Sequence, residues 1–172
     1  MFHHMIFTTP FGPGAIVFRE SPFALFKILL PRLNPSDLEK ALLESGWGIS
    51  GSDKKALDIK NMLLDYFKGY PIHPPWERLD FGGLTSLQKS VLRATADIPY
   101  GETRSYRDIA TAIGRPNACR FVGTTLAKNP FPILIPCHRI IRSDNSLGKF
   151  GGGTGLKKRL IALESKNSRG KK

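Results

Sequence analysis

Residues 129–141 read Asn-Pro-Phe-Pro-Ile-Leu-Ile-Pro-Cys-His-Arg-Ile-Ile. Three prolines stiffen the approach to Cys137, and most of its other neighbours are apolar. A single cysteine in such company is usually an inert core thiol. Here a histidine and an arginine follow directly, and positive neighbours favour a thiolate over the ordinary thiol, whose pKa is about 8.5. The stretch therefore predicts a reactive cysteine.

Two short helices are predicted upstream of this cysteine. Ser105 is a candidate N-cap with Asp108 three residues later, and Gly114 ends the first helix. A second helix is predicted to start at Asn117. Its core-facing side is predicted to carry Cys119, Val122 and Leu126. Such a pair is typical of a helix-turn-helix, although it is also common in purely structural helical folds.

The first half of the chain predicts a small α/β unit. Apolar runs at 5–9 and 15–19 flank a turn-rich segment and predict a hairpin whose loop is longer than two residues. A capped helix start at Pro35-Ser36-Asp37 and helical spacing over 55–67 predict two helices. The whole chain is thus expected to be α/β (α+β), with an antiparallel sheet first and a mainly helical part second.

A proline-rich connector predicts where the two parts separate. The segment 69–75 holds three prolines and cannot continue a helix. We therefore expect an N-terminal domain over 1–78 and a C-terminal domain over 79–172. The polar, basic end of the chain, 165–172, is expected to be disordered.

The charge of the chain indicates a polyanionic partner. Lysine and arginine number 26 against 14 aspartates and glutamates, which gives a formal net charge of +12. Nucleic acid is the first candidate, and its binding would be sensitive to salt. The alternative from charge alone is a basic protein with no nucleic-acid function.

The cysteine count and the apolar runs exclude other classes. Only Cys119 and Cys137 are present, without a CxxC motif or a Cys/His cluster at ligand spacing, so neither a disulfide scaffold nor a metal site is predicted. No apolar stretch approaches the roughly 20 residues that cross a bilayer, and Met1 to Thr9 does not resemble a secretory leader. A cytoplasmic protein without a membrane partner is expected.

The stretch around Cys137 resembles the active-site signature of O6-alkylguanine-DNA alkyltransferases, the methylated-DNA–protein-cysteine methyltransferases. The resemblance rests on Ile-Leu-Ile-Pro-Cys-His-Arg at 133–139, preceded by Asn-Pro at 129–130. It continues through Ile-Pro-Tyr-Gly-Glu-Thr at 98–103, the three glycines 151–153 and a closing helix that contains Glu164. It implies a ribonuclease H-like first domain and a second domain with a helix-turn-helix.

The family resemblance implies catalytic roles for five residues. Cys137 would accept the alkyl group, His138 would take its proton through a water, and Glu164 would hold the imidazole. Tyr106 would donate a hydrogen bond to the base so that guanine leaves as a neutral molecule, and Asn129 would fix the turn that presents the cysteine. No cofactor is implied.

The resemblance also implies how DNA is held. The partner would be double-stranded DNA containing O6-alkylguanine, and O4-alkylthymine as well, bound through the minor groove by a monomer. Because the target atom is buried in the stack, the nucleotide must be turned out into a pocket. Arg120 would fill the gap. The other predicted DNA contacts are Asn117, Ala118, Ser105 and Arg139. The predicted pocket lining comprises Tyr106, Ile140, Phe150, Gly151 and Gly152.

One departure from the family pattern lies in this pocket. Relatives often carry tyrosine followed by serine where this sequence has Phe150 and Gly151. A hydroxyl contact would be missing here, and a roomier pocket would admit alkyl groups larger than methyl.

Three alternative functions are weighed against alkyl transfer. A sensor of alkylated DNA that does not repair it is disfavoured, because such relatives replace the acceptor cysteine, which is present here as Cys137. A transcription regulator leaves the Cys137-His138 pair unexplained. A cysteine hydrolase would use the same cysteine, histidine and acid, but it leaves Arg120 and the basic charge without a role.

Overall fold

A computed structural model of the chain describes residues 1–169. The chain divides into two compact units, Met1–Asp80 and Phe81–Lys172. This division falls two residues beyond the boundary drawn from the proline-rich connector. Mixed α/β architecture with a small antiparallel sheet is found as predicted.

The first unit is built on a three-stranded antiparallel sheet in the order β1-β2-β3. Its strands are β1 (His3–Thr9), β2 (Gly12–Glu20) and β3 (Phe23–Leu29). The hairpin between β1 and β2 is tighter than predicted, because Thr9 pairs with Gly12 and leaves a two-residue loop. Gly12 has a φ of +108°, and a Cβ there would collide with the carbonyl oxygen of Arg32.

Two helices cover this sheet. They are α1 (Pro35–Glu44), capped by the Asn34 side chain, and α2 (Lys54–Phe67), capped by the Asp53 side chain. The centre of β2 is buried. Its residues Ala15 and Val17 form a core cluster with Leu29, Leu38 and Leu42. Helix α2 packs against β1 and β2. A short 3-10 turn, Trp76–Arg78, closes the unit.

In the described residues of the second unit, four helices surround the segment that carries Cys137. These are α3 (Ser86–Ala96), α4 (Tyr106–Ala112), α5 (Cys119–Ala127) and α6 (Gly153–Arg169). Two short strands, β4 (Arg104–Ser105) and β5 (Ile140–Ile141), pair in parallel. A 3-10 turn, Cys137–Arg139, leads directly into β5 and presents the cysteine.

Helices α4 and α5 pack against each other and against α3. Helix α4 starts as predicted, because Ser105 and Asp108 form a reciprocal capping box. Helix α5 starts at Cys119, two residues later than predicted, with Ala118 as its N-cap. The interpretation of the pair as a DNA-binding helix-turn-helix stays a prediction.

The prediction of a disordered end from residue 165 is wrong for residues 165–169, which belong to α6. The helix continues because its inner side is anchored: Leu160 and Glu164 are buried, and the Asn167 side chain donates to the Leu163 carbonyl oxygen. The remaining predicted disorder, at 170–172, lies outside the described residues. Within the described chain, no helix is long and apolar enough to cross a membrane.

Candidate active site

The loop that leads to Cys137 is held by one side chain, Asn129. Its amide nitrogen donates to the Ile135 carbonyl oxygen at 2.9 Å, and its amide oxygen accepts from the Phe131 backbone N–H at 3.0 Å. A backbone hydrogen bond from Ile135 to Phe131 closes the same turn at 2.8 Å. Asn129 thus lies where the sequence places it, at the base of the turn before the cysteine.

This loop is rigid and buried. All ten residues from 131 to 140 are buried. Ile133 has a φ of +77°, which is strained for a β-branched residue and persists only where the surroundings dictate it. The packed interior and the Asn129 hydrogen bonds supply that constraint, so the cysteine is presented in one fixed position.

The Cys137 thiol is nearly enclosed, with 9% of the residue exposed. Burial raises the pKa of this thiol, while a hydrogen bond from Asn129 and the positive charge of Lys157 oppose that shift. The sequence predicted a pKa lowered by the neighbouring His138 and Arg139. That prediction is wrong in sign, because desolvation outweighs the charges, and the stabilising cation is Lys157.

Two consecutive buried residues, His138 and Arg139, meet Glu164 on α6 from a distant part of the sequence. His138 is fully buried, and its Nε2 lies 2.6 Å from Glu164 Oε1. Arg139 donates from Nε to Oε2 at 2.9 Å and from Nη2 to Oε1 at 3.1 Å. The Gly101 backbone N–H adds a further hydrogen bond to Oε2 at 3.0 Å. The carboxylate is therefore fixed by three partners.

The charges of this cluster favour a neutral histidine. Burial alone would raise the pKa of Glu164, but hydrogen bonds and charges from His138 and Arg139 lower it to about 2, so the carboxylate is ionised. Burial lowers the pKa of His138 more strongly than Glu164 raises it. An ionised Glu164 accepting from Nε2–H fixes the tautomer whose lone pair is on Nδ1. In that tautomer Nδ1 is the ring nitrogen that can accept a proton.

Arg139 was predicted to contact DNA, which requires an exposed side chain, but it is buried. Only 5% of the residue is exposed. Besides Glu164, its guanidinium binds the Ile98 carbonyl oxygen at 2.6 Å and lies 5.5 Å from the centre of the Tyr100 ring. The prediction of a DNA contact at Arg139 is therefore wrong, because its donors are committed to the interior.

A cavity of about 940 Å³ opens onto Cys137. Tyr106, Phe150 and Gly151 line it as predicted, together with part of α5. Ile140 does not contribute to the described lining, since it is fully buried, and Gly152 also lies outside it. A Cβ added to Gly151 would meet nothing within 4 Å, so this position leaves open space. The cavity is of the size that holds a small organic ligand.

Tyr106 brings a protonated phenol to this cavity. Burial and the neighbouring Cys137 raise the pKa of its phenol, so the hydroxyl keeps its proton at neutral pH. The residue begins α4, directly after the capping residue Ser105. The Ser105 hydroxyl is itself occupied as an acceptor for the Asp108 N–H.

The start of α5 forms one rim of the same cavity. Arg120 is exposed and lines it, and Asn117 is exposed in the turn before the helix. Ala118 carries no side-chain oxygen that could cap the first backbone N–H groups of α5, so they can face an anion. Cys119 was predicted to lie in the core, but it is only half-buried and lines the cavity.

Comparisons with known proteins bear on the family to which this chain belongs. Residues 86–166 match the family described as 6-O-methylguanine DNA methyltransferase, DNA binding domain. A methylated-DNA–protein-cysteine methyltransferase of Mycobacterium bovis is 36% identical over 165 residues, which cover 95% of this chain and 93% of that protein. The chain belongs to the methylated-DNA–protein-cysteine methyltransferase family. The sequence resemblance is thereby confirmed.

Matches to two archaeal members of the methylated-DNA–protein-cysteine methyltransferase family are shorter. That of Methanothermobacter thermautotrophicus is 43% identical over 64% of this chain and 60% of its own length. That of Methanosarcina barkeri is 49% identical over 49% of this chain and 54% of its own length. The chain thus spans somewhat more than half the length of these two relatives.

Solved structures of methyltransferase relatives share the fold. The Mycobacterium tuberculosis O6-methylguanine methyltransferase superposes with a TM-score of 0.73 at 33% identity, over 97% of this chain and 94% of that one. A second structure shows the Mycobacterium tuberculosis OGT in complex with DNA, with a TM-score of 0.72 and 32% identity over 96% and 94% of the two chains.

Within the candidate site, sequence reasoning missed Lys157. The residue is fully buried, and its ammonium donates to the Ile140 carbonyl oxygen. Burial lowers the pKa of Lys157 to about 8, while Cys137 acts to raise it. The available signal was its place in α6, two turns before Glu164 on the same helix. Because α6 is polar and rich in lysine, this position alone does not distinguish a buried lysine from one on the surface.

Proposed function

We propose that this protein repairs DNA by moving the alkyl group of O6-alkylguanine, and of O4-alkylthymine, onto Cys137. The observation that carries the proposal is the cavity that joins an enclosed cysteine to a protonated phenol. The residue directly after this cysteine is a buried histidine that is paired with a carboxylate. Family membership gives the proposal its substrate, because the relatives are named for transfer from methylated DNA to a protein cysteine.

The first step is removal of the Cys137 proton. His138 is neutral and presents Nδ1, so it takes this proton, through a water as the family resemblance implies. The new imidazolium is stabilised by the ionised Glu164, and the thiolate by Lys157 and Asn129. The raised pKa keeps the resting thiol protonated, and hence unreactive until this relay acts.

The second step is in-line displacement at the alkyl carbon. The sulfur bonds to carbon, the carbon–O6 bond breaks, and its electron pair goes to guanine. Tyr106 donates to the base so that guanine leaves without a full negative charge. The thioether that results has no leaving group and no partner that regenerates the thiol. Each molecule therefore works once and needs no cofactor.

DNA is held by the α5 side of the cavity. The uncapped N–H groups at the start of α5, with Asn117 and Ala118 beside them, bind phosphate, and Arg120 enters the duplex in place of the extruded nucleotide. One relative of the same fold is seen in complex with DNA. These groups all belong to one chain, so a single chain can carry out the reaction alone, and we expect a monomer that acts beside DNA in the cytoplasm.

The alternative is a sensor that binds alkylated DNA without repairing it. A sensor needs the cavity and the α5 surface but no nucleophile. The rigid presentation of Cys137 and the neutral histidine favour transfer over sensing.

Stoichiometry tests the proposal. When the protein is mixed with an excess of duplex DNA carrying radiolabelled O6-methylguanine, label should move to protein and stop at one methyl per chain. A count that keeps rising with time would show turnover and contradict the single-use reaction. DNA binding with no transferred label would support the sensor.

The dependence of Cys137 reactivity on pH tests whether Lys157 stabilises the Cys137 thiolate. Because the thiol pKa is raised, the rate of its modification by iodoacetamide should rise with pH through the neutral range. The rise should flatten near pH 8, where Lys157 loses its proton. Lys157→Met removes this charge, so the curve should move to higher pH and the rate at pH 7 should fall about tenfold.

The matched control is Lys158→Met, which alters an exposed neighbour on the same helix. It should leave the curve in place. An unmoved curve for Lys157→Met, in a variant that circular dichroism shows to be folded, would refute the electrostatic role.

A further inference from the structure

The lining of the cavity has an unbalanced charge. Four cationic side chains contribute to it, and in the described part of the chain no aspartate or glutamate does. The four are Arg120, Lys128, Arg142 and Lys149. Arg120 and Lys128 lie on and just after α5, where phosphates are expected. Arg142 and Lys149 come from the loop on the other side of Cys137, and the proposed DNA contacts leave them without a function.

Arg142 is held close to the reacting groups. The Arg142 charge acts on Tyr106 and on Lys157, and Cys137 acts on the same two groups. The position of Gly148 gives the geometry: a Cβ there would lie 3.1 Å from the Tyr106 hydroxyl and 3.7 Å from Arg142 Cγ. The aliphatic stem of Arg142 and the phenol therefore flank the same point of the cavity wall.

The backbone of Arg142 is also fixed. A tight turn over 142–146 is closed by the Arg142 N–H, which donates to the Ser146 carbonyl oxygen at 2.9 Å, and Asn145 takes a φ of +65° within it. Asp144, the acid next in sequence, is held to this turn by hydrogen bonds from the Ser146 N–H and hydroxyl. The Arg142 charge helps to lower the pKa of Asp144, so the turn offsets part of that charge, but Asp144 does not join the described cavity lining.

We propose that the loop side of the cavity selects O6 substituents that carry a carboxylate, with Arg142 as the specificity-determining residue and Lys149 in support. The inference rests on the proposed function and extends its substrate class from neutral alkyl groups to anionic ones such as carboxymethyl. A carboxylate brought out of water into a partly enclosed cavity is costly unless a cation meets it. Arg142 supplies that cation with a planar fork that matches a carboxylate.

The chemistry is the same displacement. The Cys137 thiolate bonds to the methylene carbon of the carboxymethyl group, the carbon–O6 bond breaks, and guanine keeps the electron pair and takes a proton. The product is carboxymethylcysteine at 137. Cationic side chains offset the repulsion between thiolate and carboxylate during the approach.

The test compares two duplexes of one sequence, with O6-carboxymethylguanine in one and O6-carbamoylmethylguanine in the other. These substituents share a shape and differ by one charge. Single-turnover transfer rates are measured at fixed ionic strength, and each variant is normalised to its own rate on O6-methylguanine. Arg142→Gln should lower the carboxymethyl-to-carbamoylmethyl ratio about tenfold, and Lys149→Gln should lower it less. Arg142→Lys, which keeps the charge, should restore most of it.

The outcomes separate three cases. An unchanged ratio in Arg142→Gln, or equal losses on both duplexes, overturns the inference and makes Arg142 a phosphate contact. Lys158→Gln removes an exposed charge outside the described lining and should leave the ratio as it is. If the wild-type protein fails to take the methyl group from O6-methylguanine, the proposed function itself has failed. Normal methyl transfer with an unchanged ratio removes only the charge selectivity.

Discussion

Replacement of Glu164 by glutamine is expected to lower the free energy of unfolding by about 3 to 5 kcal/mol, because it leaves the buried Arg139 without its counter-charge. Arg139 makes two of its three hydrogen bonds to this carboxylate. The rate of alkyl transfer should fall by about two orders of magnitude or more, because the imidazolium that forms on His138 loses its stabilising charge. Denaturant unfolding and single-turnover transfer measure the two effects.

The dependence of stability on pH provides a second readout. The carboxyl pKa of Glu164 is about 2 in the folded protein, below its ordinary value. Ionised Glu164 therefore contributes stability above pH 4.5 or so, and that contribution is lost as the pH falls toward 2. The difference in stability between wild type and Glu164→Gln should shrink over this window. The control is Glu102→Gln, which alters an exposed ion pair with Arg104 and should change stability by less than about 0.5 kcal/mol.

Arg120→Ala is expected to impair extrusion of the nucleotide from the duplex but not the transfer of the alkyl group itself. The side chain lies at the rim of the cavity, at the start of α5. If it fills the gap left by the extruded nucleotide, its loss leaves the unstacking cost of a few kcal/mol uncompensated, and transfer from duplex DNA should fall about 100-fold. Transfer from a free O6-alkylguanine base, which needs no extrusion, should change less than about threefold.

The control for this variant is Lys89→Ala, which removes an exposed positive charge from α3. It should reduce transfer from duplex DNA only slightly, by the loss of one charge that attracts DNA, and this small effect should disappear at high salt. Equal losses of Arg120→Ala on duplex and free base would mean that Arg120 acts on the pocket and not on the duplex.

The sequence predicted well what depends on local signals. Ser105 and Asp108 predict the start of α4, because all the residues of a capping box lie within four positions of the sequence. The role of Asn129 in the turn at 129–135 was instead implied by the family resemblance, and its amide makes two hydrogen bonds to the backbone of that turn. The pairing of His138 with Glu164 came from family resemblance, since 26 residues separate the two.

The features that could not be predicted from the sequence depend on which side chains are buried and on which charged groups pair. Arg139 looks like a surface cation beside a reactive cysteine, yet its guanidinium is buried against Glu164 and Ile98. Lys157 looks like one more lysine of a basic helix, yet it is fully buried. Cys119 shares a helical face with Val122, but α5 starts two residues later than predicted, and the first turn of a helix lies at the cavity rim.

The mass of the intact protein, measured after incubation with duplex DNA that carries O6-methylguanine, tests the central claim most directly. The wild-type chain should gain one methyl group, a peptide digest should place it on Cys137, and Cys137→Ser should gain none while still binding the duplex. A methyl group on Cys119 or on no residue at all, with the duplex bound, would contradict the assignment of Cys137 as the acceptor.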